Sequence, residues 1–196
     1  QGSEGEPFEA EFAAYAGTEF AVTVNSAGVG LDMAMMCLDL QPGDEVICPS
    51  INFKAAPMAI VGQGGTWVPC EVDPQTLQMD PVDVERRITP RTRALFPVHM
   101  NGLSAPMDEL LDIAARHPHP EYGPLKVIGD AARAVGGGYK GAMIGKRGWM
   151  TVFSFQTQKN MCTLGEGGAI TTDDADLAER LRKLRFFGGN DSWGSS

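Results

Sequence analysis

A mostly parallel, seven-stranded sheet flanked by helices, a three-layer α/β/α domain, is the fold this sequence predicts, and three observations carry it. Strand-like runs alternate with helical patterns along the whole chain. Seven candidate strands can be counted in that alternation. The 196 residues, 43% of them apolar, suffice for one domain with a sizeable core.

The elements follow in order. Phe8, Phe12 and Tyr15 fall on one face of a short helix. Phe20 to Val24 reads as a strand. Ala27 to Leu40 reads as an apolar helix stopped by Pro42-Gly43. Glu45 to Cys48 is a short buried strand, and a helix from Lys54 to Val61 breaks at Gly62 and Gly64-Gly65. Thr66 to Cys70 is the next strand, and Asp80 to Ile88 a small helix with an Asp near its start. Ala94 to Val98 is a strand, Met107 to Ala115 a helix, and Leu125 to Ile128 a strand ending at Gly129-Asp130. Gly136-Gly137-Gly138 reads as a loop before a tight turn at Lys140-Gly141. Trp149 to Phe155 and Gly168 to Thr172 are strands, and Leu177 to Leu184 lies in a closing helix.

Composition narrows the function. A net charge of −9 argues against nucleic acid and anionic membrane as partners. No apolar run reaches membrane-span length, and Gln1 to Pro7 carries no secretory signal, so a cytoplasmic protein is expected. Cys37, Cys48, Cys70 and Cys162 form no close pair and read as small buried hydrophobes in a reducing compartment. His99, His117 and His119 are too scattered for a metal site; His117 and His119 read as solvated, as do Lys54, Lys140 and Lys146, with Lys54 also considered for an anionic substrate. Met33, Met35 and Met36 read as core.

In parallel α/β sheets, ligands bind beyond the carboxyl ends of the strands, which directs attention to the residues that follow strands. In Asn25-Ser26-Ala27-Gly28-Val29-Gly30, small residues lead from a strand into a helix, which suits either a phosphate at the helix N-terminus or a plain tight turn. A dinucleotide site fits poorly, since Met33 stands where a third glycine is needed. Asp130 directly follows a buried strand. Its carboxylate needs a partner, which a protonated pyridine nitrogen would supply; a helix N-cap before Ala131-Ala132 is the other reading. Lys159 lies in a loop after a strand amid few charges. It is either a desolvated amine able to form a Schiff base or a solvated loop lysine. Ser154 offers a hydroxyl to a phosphate. His99 and Asn101 follow a strand and could face the site, but read first as structural hydrogen-bonding residues, and Glu166 as shaping a turn.

Taken in order, the motifs resemble the DegT-type sugar aminotransferases, fold-type-I enzymes that use pyridoxal 5'-phosphate (PLP). They run from Phe8-Glu-Ala-Glu-Phe12 through Asn25-Ser-Ala-Gly28, Pro42-Gly-Asp-Glu-Val-Ile47, Pro49-Ser-Ile-Asn-Phe53 and Pro97-Val-His-Met-Asn-Gly102. Gly129-Asp-Ala-Ala-Arg-Ala134, Phe153-Ser-Phe-x-x-x-Lys159-Asn160, Gly165-Glu-Gly-Gly-Ala169 and Phe187-Gly-Gly-Asn190 complete the series. The resemblance implies that Lys159 is the Schiff-base lysine and proton carrier, and that Asp130 binds the pyridine nitrogen. It implies that Phe53 stacks on the ring, and that Ala27, Gly28 and Ser154 bind the phosphate. Arg133 stands beside the ring, where the family commonly has Gln or His, and either meets the ring's 3-oxygen or turns outward. Gly28 stands where the family usually has Thr.

The resemblance further implies a large PLP-binding domain over residues 1–196, truncated before a smaller C-terminal domain, with a clipped N-terminus and a homodimer in the full-length form. The expected activity is transfer of an amino group from glutamate or glutamine to a keto-sugar, nucleotide-linked, or to a keto-cyclitol. A non-catalytic relative that keeps the PLP-binding fold as a regulator or scaffold is the alternative.

Overall fold

The computed structural model describes residues 3–186, so Phe187 to Asn190 and the closing Trp193 to Ser196 lie outside the described residues. The chain runs α1 (Gly5–Ala16), β1 (Phe20–Val24), α2 (Ala27–Cys37), β2 (Glu45–Pro49), α3 (Ala55–Gly62) and β3 (Thr66–Cys70). It continues with α4 (Pro81–Arg87), β4 (Thr92–Leu95), a 3-10 turn (Met100–Gly102), α5 (Met107–Arg116) and β5 (Lys126–Asp130). A hairpin of β6 (Gly138–Tyr139) and β7 (Ala142–Met143) precedes β8 (Met150–Ser154), β9 (Gly168–Thr172) and α6 (Ala175–Arg185).

The main sheet has seven strands in the order β1-β9-β8-β5-β4-β2-β3. The β2–β3, β2–β4, β4–β5 and β5–β8 pairs are parallel, and β9 runs antiparallel to both its neighbours. Strand periodicity sorts the side chains into two faces. Val22, Val46, Ile128, Val152 and Ile170 pack under α2, α3 and α6. On the other face Ile47, Leu95 and Val127 pack under α4 and α5, while Ala21, Phe153 and Ala169 meet α1. The three-layer expectation holds.

Local chemistry explains the element ends. Phe12 of α1 stands edge-on to Phe153 and Phe155, with centroids 5.1 and 5.2 Å away, and α1 stops at Gly17, whose φ of +74° is left-handed. Helix α2 begins on Ser26, whose hydroxyl accepts from the Val29 amide at 3.3 Å. It ends at Cys37, three residues short of the expected Leu40. The stop comes from α6: Arg180 donates to the Met36 carbonyl at 3.0 Å and the Cys37 carbonyl at 3.2 Å, and its fork grips the Asp39 carboxylate at 2.6 and 2.8 Å. Asp39 itself is left-handed (φ +50°), which turns the chain before Pro42-Gly43 is reached. The turn expected at Lys140-Gly141 is present, with φ +47° and +82°, and closes the small hairpin.

Both sheet edges are modified. On β1 the Thr23 amide donates to the Glu9 carboxylate at 2.8 Å, and the Thr23 carbonyl accepts from Arg185 at 3.2 Å. Glu9 and Arg185 are ion-paired, so α1 and α6 clamp the strand. On β3, the outer strand at the other end, Pro69 supplies no N–H.

Several surface readings change. His117 pairs with Glu85 at 2.7 Å, Lys140 with Asp108 at 2.7 Å and Lys146 with Asp173 at 2.8 Å, so these side chains are not free in solvent. The His119 ring accepts from the Glu121 and Tyr122 amides at 3.1 and 3.3 Å. Met33 and Met35 are in the core but Met36 is exposed. Cys37, Cys48 and Cys70 are buried and Cys162 is exposed. Among the described residues, no helix is long and apolar enough to cross a membrane, and no cluster of His, Cys, Asp or Glu is arranged for a metal.

Candidate active site

The carboxyl ends of β2, β4, β5 and β8 and the N-terminus of α2 surround a cavity of about 570 Å³. Its lining includes all seven residues singled out in the sequence: Ala27 and Gly28 at the start of α2, Phe53 after β2, Asp130 and Arg133, Ser154, and Lys159. Residues up to 132 positions apart in the chain meet here because parallel strands deliver their C-terminal loops to one edge.

Asp130 is the last residue of β5 and is 5% exposed. Its backbone is held on both sides: the amide donates to the Pro97 carbonyl and the carbonyl accepts from the His99 amide, each at 2.8 Å. Its Oδ1 accepts from the Ala132 amide at 2.9 Å. No helix follows; Ala131 to Ala134 forms a turn, so Asp130 caps a turn and not a helix. Burial raises its pKa, opposed by the Ala132 hydrogen bond and by the positive charges of Lys159 and Arg133. A buried carboxylate with one neutral donor is an acceptor with unused capacity, suited to a cationic N–H.

Lys159 is half-buried in the loop after β8. The loop is built from backbone bonds: Lys159 N to Gln156 O at 2.8 Å, Thr157 N to Gly165 O at 3.0 Å and Thr163 N to Phe155 O at 2.9 Å. Asn160 crosses to the Val135 carbonyl at 2.5 Å. Ser154 ends β8, is 3% exposed, and accepts weakly from the Gln156 amide at 3.4 Å. A Cβ on Gly168 would come within 3.0 Å of the Ala27 amide nitrogen, so only glycine lets β9 lie this close to the start of α2. Phe53 is 68% exposed, with a bare ring at the cavity wall. Arg133 is exposed and its guanidinium reaches Asn101 Oδ1 at 3.4 Å, turned toward the rim.

His99 has a firmer place than its sequence suggested. It is 2% exposed yet lines the cavity, and its Nδ1 accepts from the Ala105 amide at 3.1 Å. That bond puts the proton of the neutral ring on Nε2. Burial lowers its pKa to about 4. Burial, and then the charge of Asp130, push the Cys48 thiol well up, so it stays protonated. Gln156, Gln158 and Glu166 also line the cavity.

Three comparisons bear on this arrangement. The chain is 46% identical over 192 residues to the dTDP-3-amino-3,4,6-trideoxy-alpha-D-glucose transaminase of Streptomyces venezuelae, covering 98% of this chain and 49% of that protein. The structure of S. venezuelae DesV in complex with a ketimine intermediate superimposes with a TM-score of 0.92 at 46% identity, over 98% of this chain and 50% of that one. The PLP form of the putative sugar aminotransferase Spr1654 from Streptococcus pneumoniae gives a TM-score of 0.90 at 28% identity, over 98% of this chain and 53% of that one. The chain thus spans about half the length of the relatives it matches. The family model for these enzymes matches residues 1–195, and with that the chain belongs to the DegT/DnrJ/EryC1/StrS aminotransferase family.

Proposed function

We propose that this chain is the cofactor-holding part of a PLP-dependent aminotransferase that moves an amino group from glutamate or glutamine to a nucleotide-linked keto-sugar. The observation that carries the reading is the meeting of Asp130, Lys159, Ser154 and the α2 N-terminus on one cavity. The donor set fits PLP. The buried carboxylate of Asp130 suits a pyridinium nitrogen, the Ala27 and Gly28 amides with the Ser154 hydroxyl suit a phosphate, the Phe53 ring offers a stacking face, and Lys159 offers an amine. The S. venezuelae transaminase acts on a dTDP-sugar by its name, which supports the substrate class.

When bound, PLP would accept the electron pair released at the donor's α-carbon. Asp130 would keep the ring nitrogen protonated, because a carboxylate at that nitrogen makes loss of its proton costly. Lys159 Nζ would hold the cofactor at rest and, once displaced by the donor, take the proton from the donor's α-carbon. The α2 N-terminus and Ser154 would anchor the phosphate end, so the ring cannot slide along Phe53. A free keto-cyclitol is a second acceptor class of the same chemistry.

The test is borohydride reduction of the PLP-treated protein followed by peptide mass mapping. A pyridoxyl group on Lys159 is expected. Label on Lys54 or Lys140, or none, overturns the assignment and leaves the non-catalytic reading.

A further inference from the structure

Of the two cationic side chains that line the cavity among the described residues, Lys159 and Arg133, one has no assignment. Asp130 answers to the ring nitrogen, the α2 N-terminus and Ser154 to the phosphate, and Lys159 to the carbonyl carbon, all under the function proposed above. Arg133 remains. It lines the same cavity three residues beyond Asp130, and it is exposed, so an incoming molecule can reach it.

Arg87, Arg91, Arg93, Arg116, Arg147, Arg180 and Arg185 each hold a carboxylate within ion-pair distance; among the described residues Arg86, Arg133 and Arg182 do not, and of these three Arg133 lines the cavity. Among the described residues Arg133 has no such pair; its hydrogen bond goes to the neutral Asn101 Oδ1 at 3.4 Å, near the limit of a hydrogen bond. Asn101 is presented by a built element. It sits in the 3-10 turn Met100–Gly102 with φ +54°, and the Gln78 side chain braces that turn at Met100, with contacts of 3.4 and 3.5 Å. With Oδ1 turned to Arg133, the Asn101 amide nitrogen remains as a second donor beside the guanidinium fork.

A guanidinium with a neighbouring amide donor matches a planar carboxylate better than it matches a sugar hydroxyl. The placement selects among anions as well. Arg133 lines the same cavity as Lys159, so whatever it binds shares that cavity with the reacting centre. A donor's α-carboxylate carbon is two bonds from the transferred nitrogen, whereas the diphosphate of a nucleotide sugar is four or more bonds from the acceptor's carbonyl carbon.

We infer that Arg133, with Asn101 beside it, binds a carboxylate of the amino donor and so sets donor specificity. This rests on the aminotransferase reading above.

The experiment uses PLP-loaded protein and two unreactive probes, glutarate for the donor's carboxylates and inorganic pyrophosphate for the diphosphate. Binding is followed through the cofactor's absorbance in wild type, Arg133→Gln, Arg133→Lys and the control Lys54→Gln. Arg133→Gln should weaken glutarate by ~10- to 100-fold, the range for losing a charge-assisted pair. Arg133→Lys should fall between, because it keeps the charge and loses the fork. Lys54→Gln should match wild type, pyrophosphate binding should not change, and borohydride should still label Lys159 in every variant. Unchanged glutarate binding in Arg133→Gln with Lys159 labelled, or a loss confined to pyrophosphate, overturns the role given to Arg133 alone. Wild-type protein without the Lys159 label overturns the aminotransferase reading and this one with it.

Discussion

Asn160 donates its side-chain amide to the Val135 carbonyl at 2.5 Å, joining the loop that carries Lys159 to the turn that follows Asp130. The two groups proposed to act at opposite ends of the cofactor ring are thus held in register by one side-chain bond. Asn160→Ala should lower PLP affinity by ~5- to 10-fold, while the unfolding free energy drops by only about 1 kcal/mol, as for one exposed hydrogen bond. Cofactor titration and urea unfolding measure the two. An equal loss in cofactor-free stability and in binding would make Asn160 a general brace and not a spacer between the loops.

Two glycines in α2 should behave oppositely. A Cβ on Gly28 would meet only the Ser26 hydroxyl, at 3.7 Å, so Gly28→Thr fits the space. It should tighten PLP binding several-fold by adding a hydroxyl at the proposed phosphate site. A Cβ on Gly30 would come within 2.8 Å of Val152 and 3.5 Å of Ile170, deep under the helix. Gly30→Ala should cost about 1–3 kcal/mol through overpacking and displace the helix start. Thermal melts with and without PLP separate the cases; a Gly30→Ala protein as stable as wild type would mean that α2 can lift freely.

Asp130 should trade stability for function. Its pKa is raised by burial, so the ionised form is disfavoured in the fold; its contribution is favourable below the unfolded carboxylate pKa and is lost as pH rises through the folded value. At pH 7 the cofactor-free chain therefore carries a penalty that Asp130→Asn removes, and the variant should be more stable without PLP. With PLP bound, the same change should slow the proposed reaction with an amino donor roughly 100-fold or more, because an amide does not hold the ring nitrogen protonated. Urea unfolding and stopped-flow absorbance test the two halves. Donor rates like those of wild type would reduce Asp130 to a turn cap.

His99 sets an acid-side limit. Its folded pKa of about 4 lies below the ordinary 6.5, so the unfolded chain binds the proton first as pH falls. Stability is full above about pH 6.5, declines between there and pH 4, and is flat below, a loss on the order of 3 kcal/mol. Unfolding curves at pH 7.5 and 4.5 should show this loss, and His99→Gln should flatten that interval. An unchanged pH profile in the variant would place the acid sensitivity elsewhere.

The strands were legible because apolar runs bounded by Gly, Pro and polar residues mark them: β1, β3 and β9 begin and end where the sequence puts them. The end of α2 was not, because Arg180, 141 residues from Asp39, decides it, and no local spacing records that bond. The β6–β7 hairpin was half legible: its Lys140-Gly141 turn has a sequence signature, but strands of two residues are too short for any period. At the cavity, the residues after strands could be named from the parallel-sheet rule alone. The direction of Arg133 could not, since it depends on where the Asn101 turn lies. Nor could the bond that His99 accepts from the Ala105 amide or the one that Asn160 donates to the Val135 carbonyl, because a backbone partner has no residue identity to read.

The treatment of the two outer strands has a consequence for how this chain meets its own copies. A free sheet edge is a template for another strand, and growth there leads to fibres. Here the Thr23 amide and carbonyl are occupied by Glu9 and Arg185, and Pro69 leaves a gap among the outward donors of β3. Neither end offers an unbroken row of hydrogen-bonding groups. Copies of the chain that stick together, during synthesis or at high concentration, should do so through side-chain surfaces that can separate again, rather than by extending the sheet from one molecule into the next.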